Sequence, residues 1–164
     1  MAGEGAEARP DVQFVHPMHL RTIAVMDFVD LHALIERATA RIVSEMPGVL
    51  AVYVFGSLAS GERSAHSDLD IAVLPPSPVD PEKLYRLARG LESDLDIDID
   101  LVDLSAASTV LTQQVMATGR LLYCGDNRKV LEFAASSLSE YGHFRERTAP
   151  LFDRVRETGR AYAK

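Results

Sequence analysis

Apolar residues at Leu31, Leu34, Ile35, Ala38, Ile42 and Met46 recur every three or four positions, the spacing that gathers side chains on one face of an α-helix. Pro47-Gly48 stops that helix. The period then changes. Val49 to Phe55 is a β-branched and aromatic run that reads as a buried strand. Asp68 to Leu74 reads as a second strand, closed by Pro75-Pro76-Ser77-Pro78, and a short helical turn is expected between them at Leu58 to Gly61. Asp80-Pro81-Glu82 opens another helix, with Asp80 as N-cap and Pro81 in the first turn, running to about Leu91. In Ile97 to Leu104, Ile97, Ile99 and Leu101 alternate with Asp98, Asp100 and Val102, which predicts a third strand. Ser105 is read as the cap of a helix that ends at Gly119, and Arg120 to Tyr123 as a short edge strand. Asp126 caps a long helix through about Arg147; after Pro150, Leu151, Val155 and Tyr162 mark a final short one.

These elements predict a mixed α/β (α+β) protein, a small mixed sheet flanked by helices with a helical tail. The 164 residues are the length of one domain. Residues 1–17 carry no hydrophobic period and are expected to be a disordered leader. Residues 27–125 form the core, and 126–164 form a C-terminal helical tail of the same domain. Met18 and Met26 are alternative starts to Met1. A hydrophobic content of 47% and a mean hydropathy near zero suit a soluble globular chain. No apolar run reaches the roughly 20 residues that span a bilayer, and the acidic start is not a secretory signal. One cysteine, Cys124, excludes an internal disulfide and a Cys-cluster metal site, and reads as a small packed residue. The setting these features fit is the cytoplasm.

Charge narrows the function. A net charge of −7 argues against general nucleic-acid binding. Acidic residues crowd Glu92 to Asp103. The tail carries Arg145, Arg147, Arg154, Arg156, Arg160 and Lys164 against Glu146, Asp153 and Glu157. The plain reading of that tail is a solvated helix face; the sharper one is a contact surface for an acidic partner.

The chemistry concentrates at one place. Gly56-Ser57 ends the first strand, ten residues follow, and Asp68-x-Asp70 opens the second. Alternate strand residues share a face, so Asp68 and Asp70 project together as a hard-oxygen site suited to Mg²⁺. The Gly-Ser turn offers backbone N–H groups and a hydroxyl to phosphate. Ser67 to Asp70 also matches a helix capping box, but the three prolines that follow Leu74 leave no room for a helix. A third carboxylate would come from a neighbouring strand, where Asp96, Asp98 and Asp100 are read as sharing one face and Asp103 the other. Arg63 and His66 read as loop residues near the site, Tyr53 and Phe55 as core or wall residues.

The Gly-Ser, ten-residue, Asp-x-Asp spacing resembles the minimal nucleotidyltransferases of the DNA polymerase β-like superfamily. Asp100-Leu101-Val102-Asp103-Leu104, the Ala107 to Leu111 stretch and Gly119-Arg120-Leu121-Leu122-Tyr123 resemble the second half of that family, in particular the MntA-type antitoxins that act with HEPN-domain toxins. The resemblance selects Asp100 as third carboxylate over Asp98. It implies a polymerase β-like core, with Asp68, Asp70 and Asp100 as metal-binding and catalytic residues and Gly56 and Ser57 binding the nucleotide. It further implies ATP as substrate, Mg²⁺ as cofactor, and transfer of AMP to a tyrosine hydroxyl of a HEPN ribonuclease toxin, with no membrane and no direct nucleic-acid contact. Two rivals stand beside this reading: an aminoglycoside-type small-molecule nucleotidyltransferase, which usually carries a larger substrate domain, and an antitoxin that neutralises by binding alone.

Overall fold

The computed structural model describes residues 28–57 and 68–158. The leader, the turn at Leu58 to Gly61, Arg63, His66 and Tyr162 lie outside the described residues. In chain order the elements are α1 (Phe28–Glu45), β1 (Ala51–Val54), β2 (Leu69–Leu74), α2 (Pro81–Leu95), β3 (Ile99–Asp103), α3 (Thr109–Thr118), β4 (Arg120–Cys124) and α4 (Asn127–Thr158). The strands form one sheet in the order β3-β2-β1-β4. β1 runs antiparallel to both β2 and β4, while β2 and β3 are parallel. The parallel pair needs a crossover, and α2 supplies it. This is the mixed α/β architecture the periodicity predicts.

Strand alternation divides the core into two layers. Val52 and Val54 of β1, Leu69, Ile71 and Val73 of β2, and Ile99 and Leu101 of β3 face α1 and α2. The α1 residues singled out by periodicity are all buried there. Ala51, Tyr53, Phe55, Ala72, Leu74 and Leu104 face the other way, against Val115 of α3 and Val130 of α4. Each large apolar side chain sealed in these layers contributes about 1.5–3 kcal/mol relative to exposure.

Several boundaries differ from the sequence expectation. α2 runs on to Leu95, because Leu91 and Leu95 continue its buried stripe. Asp96 then ends it in a left-handed conformation, φ 56°, its N–H donating to the Glu92 carbonyl at 2.8 Å. Asp96 is therefore a helix cap and not a member of the strand face. α3 is capped by Ser108, whose hydroxyl accepts from the Leu111 N–H at 3.3 Å, and not by Ser105. Ser105 instead donates its N–H and hydroxyl to the Asp103 carboxylate at 2.8 and 2.7 Å. α4 is one helix of 32 residues that passes through the exposed Pro150. Cys124 is exposed at the end of the edge strand, not packed. The expected caps at Asp80 and Asp126 are present, accepting from the N–H groups of Glu82 at 2.9 Å and Lys129 at 3.1 Å.

Candidate active site

The site lies where β1 ends and β2 begins. Because these strands are antiparallel, the last residue of β1 meets the first turn of β2: Val54 pairs with Ile71, and the Phe55 N–H donates to the Asp70 carbonyl at 3.0 Å. That bond fixes Gly56 directly over the Asp70 side chain. Gly56 has φ 68°, the left-handed region where a Cβ is strained. A Cβ placed there would also stand 2.0 Å from Asp70 Oδ2. Both the backbone twist and the close approach therefore require glycine. The sequence assigns Gly56 to phosphate; its role as the seat of the Asp70 carboxylate has no signature outside three dimensions.

The carboxylates are set by register. Asp70 pairs with Asp100 across the parallel β2–β3 ladder. Asp70 and Asp100 alternate with Ile71 and Leu101, which face α1 and α2, so their side chains belong to the face covered by α3 and α4. Asp68 precedes β2 by one residue and is exposed, as is Asp100; Asp70 is partly buried between them. Asp98 stands just before β3, exposed, and its carbonyl accepts the Leu69 N–H at 2.9 Å. Ser57 follows Gly56, partly buried. Asp103 stands apart as a buried residue whose carboxylate accepts from Val79 N–H at 2.9 Å besides Ser105, so it ties the proline-rich segment to the end of β3.

Asp70 is the electrostatic centre. Burial first, then the charges of Asp100 and Asp68, push its carboxyl up to about 6 from an ordinary value near 3.8. A carboxyl held between two other carboxylates at a partly closed surface is poised to exchange its proton for a cation. Among the described residues no three acidic, histidine or cysteine side chains converge as a complete metal cage. Mg²⁺ binds through one or two carboxylates plus substrate phosphates and keeps several waters, and Asp70 with Asp100 beside it offers such carboxylates. The all-oxygen donor set fits that ion and not a soft metal.

Residues 37–128 match the family described as polymerase beta, nucleotidyltransferase. The chain is 40% identical over 110 residues to the protein adenylyltransferase MntA of Shewanella oneidensis, an overlap of 67% of this chain and 78% of that protein. A toxin–antitoxin crystal structure with AMP-PNP matches with a TM-score of 0.67 at 37% identity, over 73% of this chain and 97% of the other. The structure of a tri-AMPylated Shewanella oneidensis HEPN toxin in complex with its MNT antitoxin matches with a TM-score of 0.66 at 34% identity, over 76% and 97% of the two chains.

Proposed function

This chain belongs to the polymerase β-like nucleotidyltransferases, and on that footing we propose that it is an antitoxin adenylyltransferase, moving AMP from ATP to a tyrosine hydroxyl of a cognate HEPN-domain toxin and so inactivating it. The observation that carries the reading is the in-register pairing of Asp70 with Asp100, beside Asp68 and beneath the Gly56 turn. The relatives add the acceptor: one is a protein adenylyltransferase, and another is bound to an AMP-carrying HEPN toxin.

The roles follow from placement. Asp68 and Asp70, with Asp100, would hold Mg²⁺. Bound there, the metal supplies neutralisation of triphosphate charge for in-line displacement at the α-phosphorus. The backbone of Gly56 and Ser57 and the Ser57 hydroxyl hold the terminal phosphates. Asp100, on the outer strand and exposed, orients the acceptor hydroxyl and takes its proton as the new O–P bond forms and pyrophosphate leaves. Residues 27–125 constitute the catalytic core, with the helix after Asp126 part of the same domain. The cytoplasm is the setting that a single cysteine and an ATP substrate suit. Among the described residues no helix is long and apolar enough to cross a membrane.

The test is intact mass spectrometry of the toxin after incubation with this protein, ATP and Mg²⁺. Each transfer adds roughly 329 Da, the mass of an AMP group delivered by attack at the α-phosphorus. A toxin silenced in a tight complex without any adduct would overturn transfer in favour of inhibition by binding. Transfer to an aminoglycoside but not to the toxin would overturn the acceptor.

A further inference from the structure

Of the eight large hydrophobic side chains that stand exposed among the described residues, five are on α4: Leu131, Leu138, Leu151, Phe152 and Val155. The cause is length. α4 has 32 residues, about 48 Å, and α3, the helix it packs against, has 10, about 15 Å. Among the described residues most of α4 thus has no partner helix.

Its exposed residues are ordered. Leu131, Leu138 and Phe152 fall at intervals of seven and fourteen, and Arg145 holds the position between the last two. Three residues beyond each come Ala134, Tyr141 and Thr148, each partly buried, and the exposed Val155; of the five exposed side chains Leu151 alone falls outside the pattern. This is a heptad stripe, and a heptad stripe is the complement of another helix. It lies beside the stripe that packs inward through Val130, Phe133 and Ser137. Along its other flank run Ala135, Gly142 and Ala149; a Cβ at Gly142 would meet nothing within 4 Å, so a second helix can approach closely.

Arg145 decides which helix. It is exposed on the stripe; its nearest carboxylates in sequence are Glu146, which lies 3.8 Å from His143, and Glu140, and among the described residues neither is ion-paired with Arg145. Pairing with a second copy in parallel would set Arg145 against Arg145. An antiparallel twofold pairing centred on the stripe would bring the two within about a turn of each other. Both juxtapose like charges at a position that sets partner choice. A different chain, with a carboxylate facing Arg145, satisfies the stripe where a second copy does not.

We propose that this face of α4 is the docking seam for a helix of the protein acceptor, with an acidic residue opposite Arg145. The inference rests on the reading that the acceptor is a protein. It gains from position: α4 covers the same face of the sheet to which Asp70 and Asp100 belong, so a helix seated on it lies on the catalytic side.

The test uses the full chain and its HEPN toxin, with two variants: Leu138→Asp combined with Phe152→Asp, and Arg145→Glu. Binding is read by calorimetry, transfer by intact mass, and the catalytic site by AMP-PNP affinity. Both variants are expected to bind the toxin at least about tenfold more weakly, the cost of losing a buried apolar anchor or a paired charge, and to bind AMP-PNP unchanged. Toxin binding equal to wild type in both would overturn the seam, even where the wild type transfers AMP normally. Wild-type binding with no transfer, lost in the variants, would uphold the seam while the adenylyltransferase reading fails. A wild-type dimer by sedimentation that either variant dissociates would overturn it in favour of a second copy. A fall of more than about 5 °C in the melting temperature of either variant alone would overturn it by showing the seam covered within this chain.

Discussion

Gly56 and Asp70 are one unit, and each can be tested through the other. Replacing Gly56 with Ala forces a Cβ into φ 68° and against the Asp70 carboxylate. The left-handed conformation alone costs about 1–2 kcal/mol, and the contact displaces Asp70. Gly56→Ala should therefore lower stability by roughly 2 kcal/mol in urea titration and abolish transfer. Asp70 itself should behave in the opposite way. Its carboxyl is raised to about 6 in the fold, against an ordinary 3.8. The neutral form is thus favoured by folding: its contribution is full below the unfolded value and is lost as pH rises through 6. The metal-free protein should gain stability on acidification from pH 7 to pH 5. Asp70→Asn should remove that dependence and be about 1 kcal/mol more stable at pH 8, the full shift being discounted for the solvent that reaches the side chain. Thermal melts of both proteins in chelator across that range check the sign, and Asp70→Asn should be inactive throughout. By the same competition between proton and metal, the apparent Mg²⁺ affinity should fall as pH drops through 6. Asp100→Asn should slow transfer strongly with a smaller effect on nucleotide binding; if Asp98→Asn is the inactive variant instead, the acceptor-side role moves one strand step.

At the scale of elements, the parts that repeat were legible and the parts that depend on a single contact were not. The α1 stripe from Leu31 to Met46 is buried as its spacing implies, because an amphipathic period is set by many residues at once. The strands bearing Gly56-Ser57 and Asp68-x-Asp70 were readable for the same reason; alternation along β3 points Asp98 and Asp100 alike to the Asp70 face, and the choice of Asp100 came from the family resemblance. Boundaries were harder. Ser105 and Ser108 both suit an N-cap, and the choice is made by Asp103, which engages Ser105 and leaves Ser108 to α3. Asp96 sits in what looks like a strand of alternating acids, yet Leu91 and Leu95 extend α2 up to it. Nothing local in the sequence marks Asp103 as buried. Its three accepted hydrogen bonds, from Val79 and Ser105, exist only once the proline segment folds back on β3. Asp103→Ala should leave those donors unpaired and cost about 2–3 kcal/mol by denaturant titration. AMP-PNP affinity per folded molecule should stay near wild type, since this carboxylate lies away from the site.

At the scale of the whole molecule, the chain is a two-layered body with an arm. The body holds the candidate site: β1, β2 and β3 and their ends carry Gly56, Ser57 and the carboxylates, and helices lie on both faces of the sheet. The arm is the far end of α4, where Leu151, Phe152 and Val155 are exposed and the helix passes through Pro150. A proline inside a helix removes one hydrogen bond of the ladder and weakens it there, so among the described helices the turns beyond it are the easiest to separate from the rest. Truncation after Ala149 should shift the melting temperature by no more than about 2 °C, because stability comes from buried apolar area and residues 150–156 are exposed. AMP-PNP binding should be unchanged, since no site residue lies on the arm. Transfer to the toxin should nevertheless slow, as the seam loses Phe152 and Val155. Thermal melting, calorimetry with AMP-PNP and intact mass of the toxin separate the three effects. A truncated protein that unfolds or loses AMP-PNP would show the arm to be part of the body, and one that modifies the toxin at full rate would confine docking to the half of α4 around Leu131 and Leu138.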